Sequence, residues 1–157
     1  MTIENDTKGP AVKIPPPLVF AGFMLLAVLL QRFWRLSLPE SLLAEIIGVL
    51  LILAGLVAGL MIKRGFDKAH TSIEPWKPTS TIIKDGFFKY SRNPIYVAFC
   101  VIVIGAALFI GNAWMLFSYL PAAVTVYFVA IKNEEAYLEE KFGEEYLAYK
   151  RQVRRWL

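Results

Sequence analysis

The longest apolar run of the chain reads IYVAFCVIVIGAALFIGNAWMLFSYLPAAVTVYFVAI and covers Ile95–Ile131. Its 37 residues include no Asp, Glu, Lys or Arg. A helix that spans a bilayer needs about 20 apolar residues, so this run is too long for one upright span. Gly111-Asn112, near its middle, is typical of a turn. The run therefore predicts a hairpin of two short membrane helices, about Tyr96–Ile110 and Trp114–Ile131, rather than one long tilted helix.

Two further uncharged runs, Pro15–Leu30 and Ile46–Ile62, predict two membrane helices upstream of the hairpin. Hydrophobic residues make up 57% of the 157 residues and charged residues 19%, with a mean hydropathy of +0.50. A soluble domain of this size has too little interior to bury so much apolar sequence. We predict an all-α, polytopic membrane protein with four transmembrane helices, the last two forming the short hairpin.

The charges between the apolar runs predict how the chain is oriented. Of the 17 Lys and Arg residues, only Arg32 and Arg35 lie between the first two runs. The others lie before the first run, in segment 63–94, or after residue 131. The positive-inside rule then places both termini in the cytoplasm, and we expect a bacterial inner membrane. Basic residues divided among three segments argue against a nucleic-acid partner and favour contact with membrane lipids.

The chain divides into five segments, and we expect them to form a single domain. They are a loose tail 1–14, two transmembrane helices in 15–62, a cytoplasmic loop 63–94, the hairpin 95–131 and a cytoplasmic helix 132–157. One apolar stripe makes the last segment amphipathic: Leu138, Phe142, Tyr146, Tyr149, Val153 and Trp156. The helix is expected to bend at Gly143. Three alternatives stay open: its basic end Lys150–Arg155 rests on anionic headgroups, the helix faces protein, or both hold.

The glycines of the second predicted span, Gly48, Gly55 and Gly59, share one helical face. Small residues at this spacing allow two helices to approach closely. We favour packing within one bundle over a dimer interface.

Few residues remain that could carry chemistry. The single cysteine, Cys100, and the single histidine, His70, argue against a disulfide scaffold or a zinc site. No metal site and no catalytic residue are assigned from the sequence. Two polar clusters flank the hairpin, Arg92–Tyr96 before it and Glu134-Glu135 after it. The hairpin would bring them to the same face of the membrane.

Together with their neighbours, these clusters resemble the isoprenylcysteine carboxyl methyltransferase and phospholipid methyltransferase superfamily of integral membrane enzymes. The resemblance covers about residues 70–157 and is carried by five elements in order. These are Gly86-Phe87-Phe88, Arg92-Asn93-Pro94-Ile95-Tyr96, Glu134-Glu135-Ala136-Tyr137-Leu138, Phe142-Gly143 and Tyr146-Leu147-Ala148-Tyr149.

The resemblance implies a methyltransferase whose cofactor, S-adenosylmethionine, is enclosed between the loop before the hairpin and the helix after it. It implies these cofactor-binding residues: Ser80, Thr81, Ile82, Ile83, Phe88, Arg92, Asn93, Pro94, Ile95, Tyr96, Glu134 and Glu135. Glu134 would accept hydrogen bonds from the cofactor, and Phe88 and Tyr96 would pack on its adenine or face its sulfonium. Arg92 would bind the cofactor carboxylate or hold Glu135, and both roles stay open.

Three positions depart from the superfamily pattern. Asn93 stands where many members have His, and Phe88 where Tyr is usual. Carboxyl-methylating members carry an Arg one turn before the first Glu, where this chain has Ala130. The nearest cation, Lys132, is the one candidate for substrate binding, but Lys does not reproduce the two-pronged contact of Arg with a carboxylate.

The missing Arg at Ala130 argues against a prenylcysteine carboxylate as the acceptor. We expect a membrane methyltransferase acting on a lipophilic small molecule or a lipid. The alternatives are a phospholipid N-methyltransferase acting on ethanolamine headgroups and a non-catalytic membrane protein that binds lipid or a partner.

Overall fold

The structure is a computed structural model and describes residues 9–157. Within this range the regular structure is helical, as predicted. The α-helices are α1 Pro16–Phe33, α2 Leu42–Lys68, α3 Pro94–Phe109, α4 Ala113–Val126, α5 Lys132–Phe142 and α6 Glu144–Gln152. A 3₁₀ turn covers Gly86–Lys89, and a π-helical segment, Tyr127–Ile131, joins α4 to α5 without a break.

In the described range, three helical runs are long and apolar enough to cross a membrane: α1, α2 and the continuous run Ala113–Phe142. The helix α3 is also apolar, but its 16 residues are fewer than an upright span needs. The helix α2 continues to Lys68, beyond the apolar run that predicted it. Its extra turn is polar and carries an ion pair between Lys63 and Asp67 four residues apart, which favours helix.

The described chain forms two compact units that differ in composition. The apolar unit consists of residues 16–60 and 95–126, and the polar unit consists of residues 9–15, 61–94 and 127–157.

In the apolar unit, α1 packs against α4 and α2 packs against α3. The second contact is close because glycine faces glycine. A Cβ atom added to Gly48 would lie 2.6 Å from the carbonyl oxygen of Gly105, and one added to Gly105 would lie 2.7 Å from that of Gly48. A Cβ on Gly55 would lie 2.9 Å from the carbonyl oxygen of Ala98, whereas Gly59 faces open space. Gly48 and Gly55 therefore serve packing within the chain, as we favoured.

The turn between α3 and α4 covers residues 110–112, where the sequence predicted a break. Gly111 has a φ of +64°, which glycine adopts without strain. Asn112 is buried, and its side-chain oxygen accepts a hydrogen bond from the Met115 amide at 3.1 Å, which caps the start of α4. The apolar run is therefore two helices, and the alternative of one long helix is wrong.

In the polar unit, two expectations about the chain ends need correction. The predicted single helix 132–157 is two helices, because Gly143 has a φ of +51° and separates α5 from α6. Beyond α6 the backbone turns extended at Val153. The tail is not loose over residues 9–14, since Val12 is buried and the Asn133 side chain donates a hydrogen bond to the Ala11 carbonyl at 3.3 Å. Residues 1–8 of that predicted tail lie outside the described range.

The glycine contact between α2 and α3 predicts that Gly48→Ala destabilises the protein. Its new methyl group would meet backbone, which cannot move aside cheaply, so we expect a loss of about 1–3 kcal/mol in the free energy of unfolding. The matched change Gly59→Ala adds the same methyl group to the same helix in open space. It should leave stability unchanged or raise it by about 0.5–1 kcal/mol. Unfolding in mixed micelles compares the two; equal losses would contradict the packing described.

Candidate functional site

A buried carboxylate with two arginine partners forms the centre of the polar unit. Glu135, in the first turn of α5, is 7% exposed. Its Oε1 accepts a hydrogen bond from Arg92 Nη2 at 2.8 Å and another from Arg155 Nε at 2.9 Å. Its Oε2 accepts from Arg155 Nη2 at 2.9 Å, so Arg155 binds the carboxylate with two prongs. The carboxylate is thereby satisfied and its charge compensated, as burial requires.

The hydrogen bonds to Glu135 also act on Arg155. They raise the pKa of its guanidinium above its ordinary value. The Arg155 guanidinium carbon also lies 4.9 Å from the centre of the Tyr127 ring, a cation–π distance. Arg155 therefore stays charged and touches both the π-helical segment and α5.

The segment Ser91-Arg92-Asn93 holds the C-terminal segment, residues 153–157. The Arg92 amide donates to the Arg154 carbonyl at 2.9 Å, and Arg92 Nη1 donates to the Val153 carbonyl at 2.6 Å. The side-chain Nδ2 of Asn93 donates a hydrogen bond to the Arg155 carbonyl at 3.0 Å, and the Ser91 hydroxyl donates to the same oxygen at 3.3 Å. These side chains are therefore occupied by backbone of their own chain.

Local sequence explains why this segment is shaped to do so. Pro94 begins α3, where its missing N–H and restricted φ suit a helix start. The backbone amide of Asn93 donates a hydrogen bond to the Ser91 hydroxyl at 3.1 Å, which forms a local turn just before α3. Of the two roles left open for Arg92, the structure has it holding Glu135.

A cavity of about 700 Å³ is lined by the end of α2 and the 3₁₀ turn. The 3₁₀ turn lies just before the segment Ser91-Arg92-Asn93 in sequence. Its aromatic lining is Phe87, Phe88 and Tyr90, and its charged lining is Lys68, Asp85 and Lys89. Pockets for small molecules commonly measure about 300–1,000 Å³. The cavity is therefore large enough for a cofactor-sized ligand.

The tyrosine Tyr149 of α6 supports the cavity wall. Its hydroxyl donates a hydrogen bond to the Phe88 carbonyl at 2.7 Å. Burial raises the pKa of Tyr149 to about 12, so the hydroxyl keeps its proton and remains a donor. The Phe88 ring also packs edge-on against Phe66 of α2, with the ring centres 5.7 Å apart. Phe88 is therefore fixed at both its backbone and its ring.

The structure brings together only part of the predicted residue set. Ile83 and Phe88 line the cavity. Arg92, Asn93 and Glu135 belong to the buried cluster, and Glu134 lies beside Glu135 in the first turn of α5, half-buried. The loop residues Ser80 and Thr81 are exposed, and the Ser80 hydroxyl donates to the His70 carbonyl at 3.0 Å.

The five remaining predicted residues lie at helix starts or in the loop. Ile82 is half-buried in the loop, and Pro94 is buried at the start of α3. Ile95 and Tyr96 follow in the first turn of α3, within the apolar unit, where Tyr96 is 5% exposed. Lys132, the candidate for substrate binding, is exposed at the first residue of α5.

Sequence reasoning missed Arg155 and the role of Tyr149. Arg155 was part of the basic end Lys150–Arg155, for which contact with lipid headgroups was one alternative. The structure shows a protein-facing role for two of these cations, since Arg155 binds Glu135 and Lys150 pairs with Glu139. The signal that could have pointed to Arg155 is that a buried Glu needs more than one cation as its partner. The Tyr-x-x-Tyr element already marked Tyr149.

Comparison with known proteins identifies the family. A family model described as phospholipid methyltransferase matches residues 43–145, well over half of the chain. The chain belongs to the phospholipid methyltransferase family.

Individual relatives agree with this family. An uncharacterized protein of Haemophilus influenzae is 36% identical over 63 residues, which is 40% of this chain and the whole of that protein. The protein-S-isoprenylcysteine O-methyltransferase of Schizosaccharomyces pombe is 30% identical over 95 residues, 59% of this chain and 39% of the relative. That of Xenopus laevis is 29% identical over 111 residues, 69% of this chain and 38% of the relative. The chain spans about two fifths of the length of these two methyltransferases.

A solved structure shows the same fold. The eukaryotic intramembrane Ras methyltransferase, isoprenylcysteine carboxyl methyltransferase, matches with a TM-score of 0.66 at 18% identity, over 90% of this chain and 51% of that one. Together with the apolar helices described above, this fold makes the chain an integral membrane protein.

The buried cluster predicts that Arg92→Ala is strongly destabilising, because it removes one of the two arginines that compensate the buried Glu135 and leaves the Val153 carbonyl without its Arg92 donor. We expect a loss of about 3–5 kcal/mol in the free energy of unfolding. The control Lys63→Ala removes a cation from an exposed ion pair with Asp67 and should cost at most about 1 kcal/mol. Denaturant titration in micelles measures both. An Arg92 variant as stable as the Lys63 variant would refute the cluster's structural role.

Proposed function

We propose that this chain is an S-adenosylmethionine-dependent membrane methyltransferase that acts on a lipophilic small molecule or lipid. The observation that carries the proposal is the 2.8 Å hydrogen bond between Arg92 and Glu135. It joins the two halves of the superfamily motif, which are 43 residues apart in sequence. Family membership and the cavity beside the first half support the same function.

The cavity residues fit the chemistry of the proposed cofactor. S-adenosylmethionine combines a flat adenine, a sulfonium cation, and an amino acid end with charges of both signs. Phe87, Phe88 and Tyr90 offer aromatic surface for a ring or for a cation. Lys68 and Lys89 supply positive charge, and Asp85 supplies negative charge. Ile83 and Phe88, which the resemblance assigned to the cofactor, are part of this lining.

The chain's own residues have three tasks in this proposal. When bound, the cofactor supplies a methyl group on positively charged sulfur, which already is a good leaving group. Glu134 accepts hydrogen bonds from the hydroxyl or amino groups of the cofactor. The aromatic lining excludes water, and the walls orient donor and acceptor, which is the main requirement of such a transfer. No residue is needed as a covalent nucleophile.

The acceptor is proposed to be lipophilic and not a prenylcysteine carboxylate. Ala130, where carboxyl-methylating relatives of the superfamily carry an Arg, is 0% exposed in the π-helical segment and offers no charge. Lys132 is exposed and remains the one cation proposed for substrate contact. The second candidate is an ethanolamine headgroup, and the description of the matching family model, phospholipid methyltransferase, supports a phospholipid acceptor of this kind. A lipid-binding protein without catalysis is the third candidate.

We propose that four helical runs span the membrane, namely the three long apolar runs described above and the short apolar helix α3. The turn of residues 110–112 and the uncharged sequence on both sides of it support this count. An even number of spans places both termini on one side. The distribution of the 17 Lys and Arg residues favours the cytoplasmic side of a bacterial inner membrane.

The decisive test of the donor is binding of S-adenosylhomocysteine to the purified chain in micelles by calorimetry. We expect the parent to bind and Glu134→Ala to bind at least about tenfold more weakly, since a charged hydrogen-bond acceptor is lost. The control Glu140→Ala removes an exposed carboxylate from the same helix and should bind like the parent. An absence of binding by the parent would sink the enzyme proposal and favour the non-catalytic one.

The same preparation identifies the acceptor when it is given S-adenosylmethionine labelled in the methyl group and native lipid extract. Label in an organic-soluble product that resists mild base is the expected result. Label located in a headgroup amine would select the phospholipid candidate. Label released by mild base as methanol would identify a methyl ester and contradict the proposed exclusion of a carboxylate.

A further inference from the structure

We infer that Arg155 is a positioning residue of the methyl-donor site. This inference rests on the proposed function and adds to it a residue outside the superfamily motif. It is carried by contacts within the polar unit alone.

Arg155 joins three elements of the polar unit. Its guanidinium holds both oxygens of Glu135 in α5 and lies over the Tyr127 ring in the π-helical segment. Its backbone carbonyl accepts hydrogen bonds from Ser91 and Asn93. One residue near the chain end therefore links the start of α5, the segment before α5 and the approach to α3.

By holding Glu135, Arg155 orients the neighbouring Glu134. Adjacent residues of an α-helix are rotated by about 100° around its axis, and their spacing is rigid. A two-pronged contact on the Glu135 carboxylate restricts the rotation of the first turn of α5. The direction in which the Glu134 side chain leaves the helix is then set by Arg155, although Arg155 makes no contact with the cofactor in this proposal.

The neighbouring Arg154 provides a matched control for substitution of Arg155. Arg154 has the same charge and adjoins Arg155, but its side chain is exposed. Its backbone carbonyl, which accepts from the Arg92 amide, is unchanged by a side-chain substitution. If the basic end served only to attract anionic headgroups, the two arginines would be equivalent.

The test is binding of S-adenosylhomocysteine to the full chain in micelles, measured for the parent, Arg154→Ala and Arg155→Ala. We expect Arg155→Ala to weaken binding by about tenfold or more, because it removes two charged hydrogen bonds that orient α5. Arg154→Ala should bind within about twofold of the parent, as exposed charges contribute little. If Arg155→Ala does not fold, Arg155→Lys replaces it, since Lys keeps the charge without the two-pronged contact.

A double-mutant cycle with Glu134→Gln separates positioning from general support. If Arg155 acts through Glu134, Arg155→Ala should weaken binding much less in the Glu134→Gln background than in the parent. Full additivity of the two losses would overturn the inference, as would equal binding by the Arg154 and Arg155 variants. Both of these outcomes leave the proposed function intact. A parent chain that does not bind at all contradicts the proposed function, and the inference falls with it.

Discussion

The buried charge of Glu135 is the constraint on which the polar unit depends. Removing a carboxylate from water costs several kcal/mol unless opposite charges and hydrogen bonds replace the water. Here Arg92 approaches from the segment before α3 and Arg155 from the end of the chain. Because each arginine also binds other parts of the unit, satisfying one carboxylate brings together α5, the motif segment and residues 153–157.

This arrangement changes how the superfamily motif is understood in this chain. Arg92 and Asn93 direct hydrogen bonds to protein carbonyls and to Glu135, not into the cavity. Their contribution is to hold Glu135 and the C-terminal segment in place. The cavity itself is lined by the end of α2 and the 3₁₀ turn, which together present both aromatic and charged side chains. Cavity lining and structural support are thus divided between neighbouring residues of one short stretch.

Much of the fold could be predicted because its signals are local. Uncharged runs predicted α1 and α2, and Gly111-Asn112 predicted the break between α3 and α4. The division of the C-terminal region at Gly143 was underestimated as a bend, because the apolar stripe continues across the glycine and gives no sign of the positive φ. The contacts of residues 9–14 are long-range, and a short polar tail has no periodicity that could reveal them.

The site was predicted less completely, because its decisive contacts join distant residues. The sequence offers 17 Lys and Arg residues and 13 Asp and Glu residues, so no rule of spacing selects Arg155 as the partner of Glu135. Arg92 was recognised from its motif, but its two possible roles differed only in three dimensions. The exposed loop residues Ser80 and Thr81 were assigned by resemblance alone, and no local physical feature of the sequence supported them.

Hydrogen exchange at the Arg92 amide tests most directly whether Glu135 holds the polar unit together. This amide donates to the Arg154 carbonyl at 2.9 Å, so it reports whether the C-terminal segment is in place. NMR-detected exchange in micelles should find it protected in the parent and in the control Glu140→Ala, and unprotected in Glu135→Ala. An Arg92 amide that stays equally protected in Glu135→Ala would contradict the account.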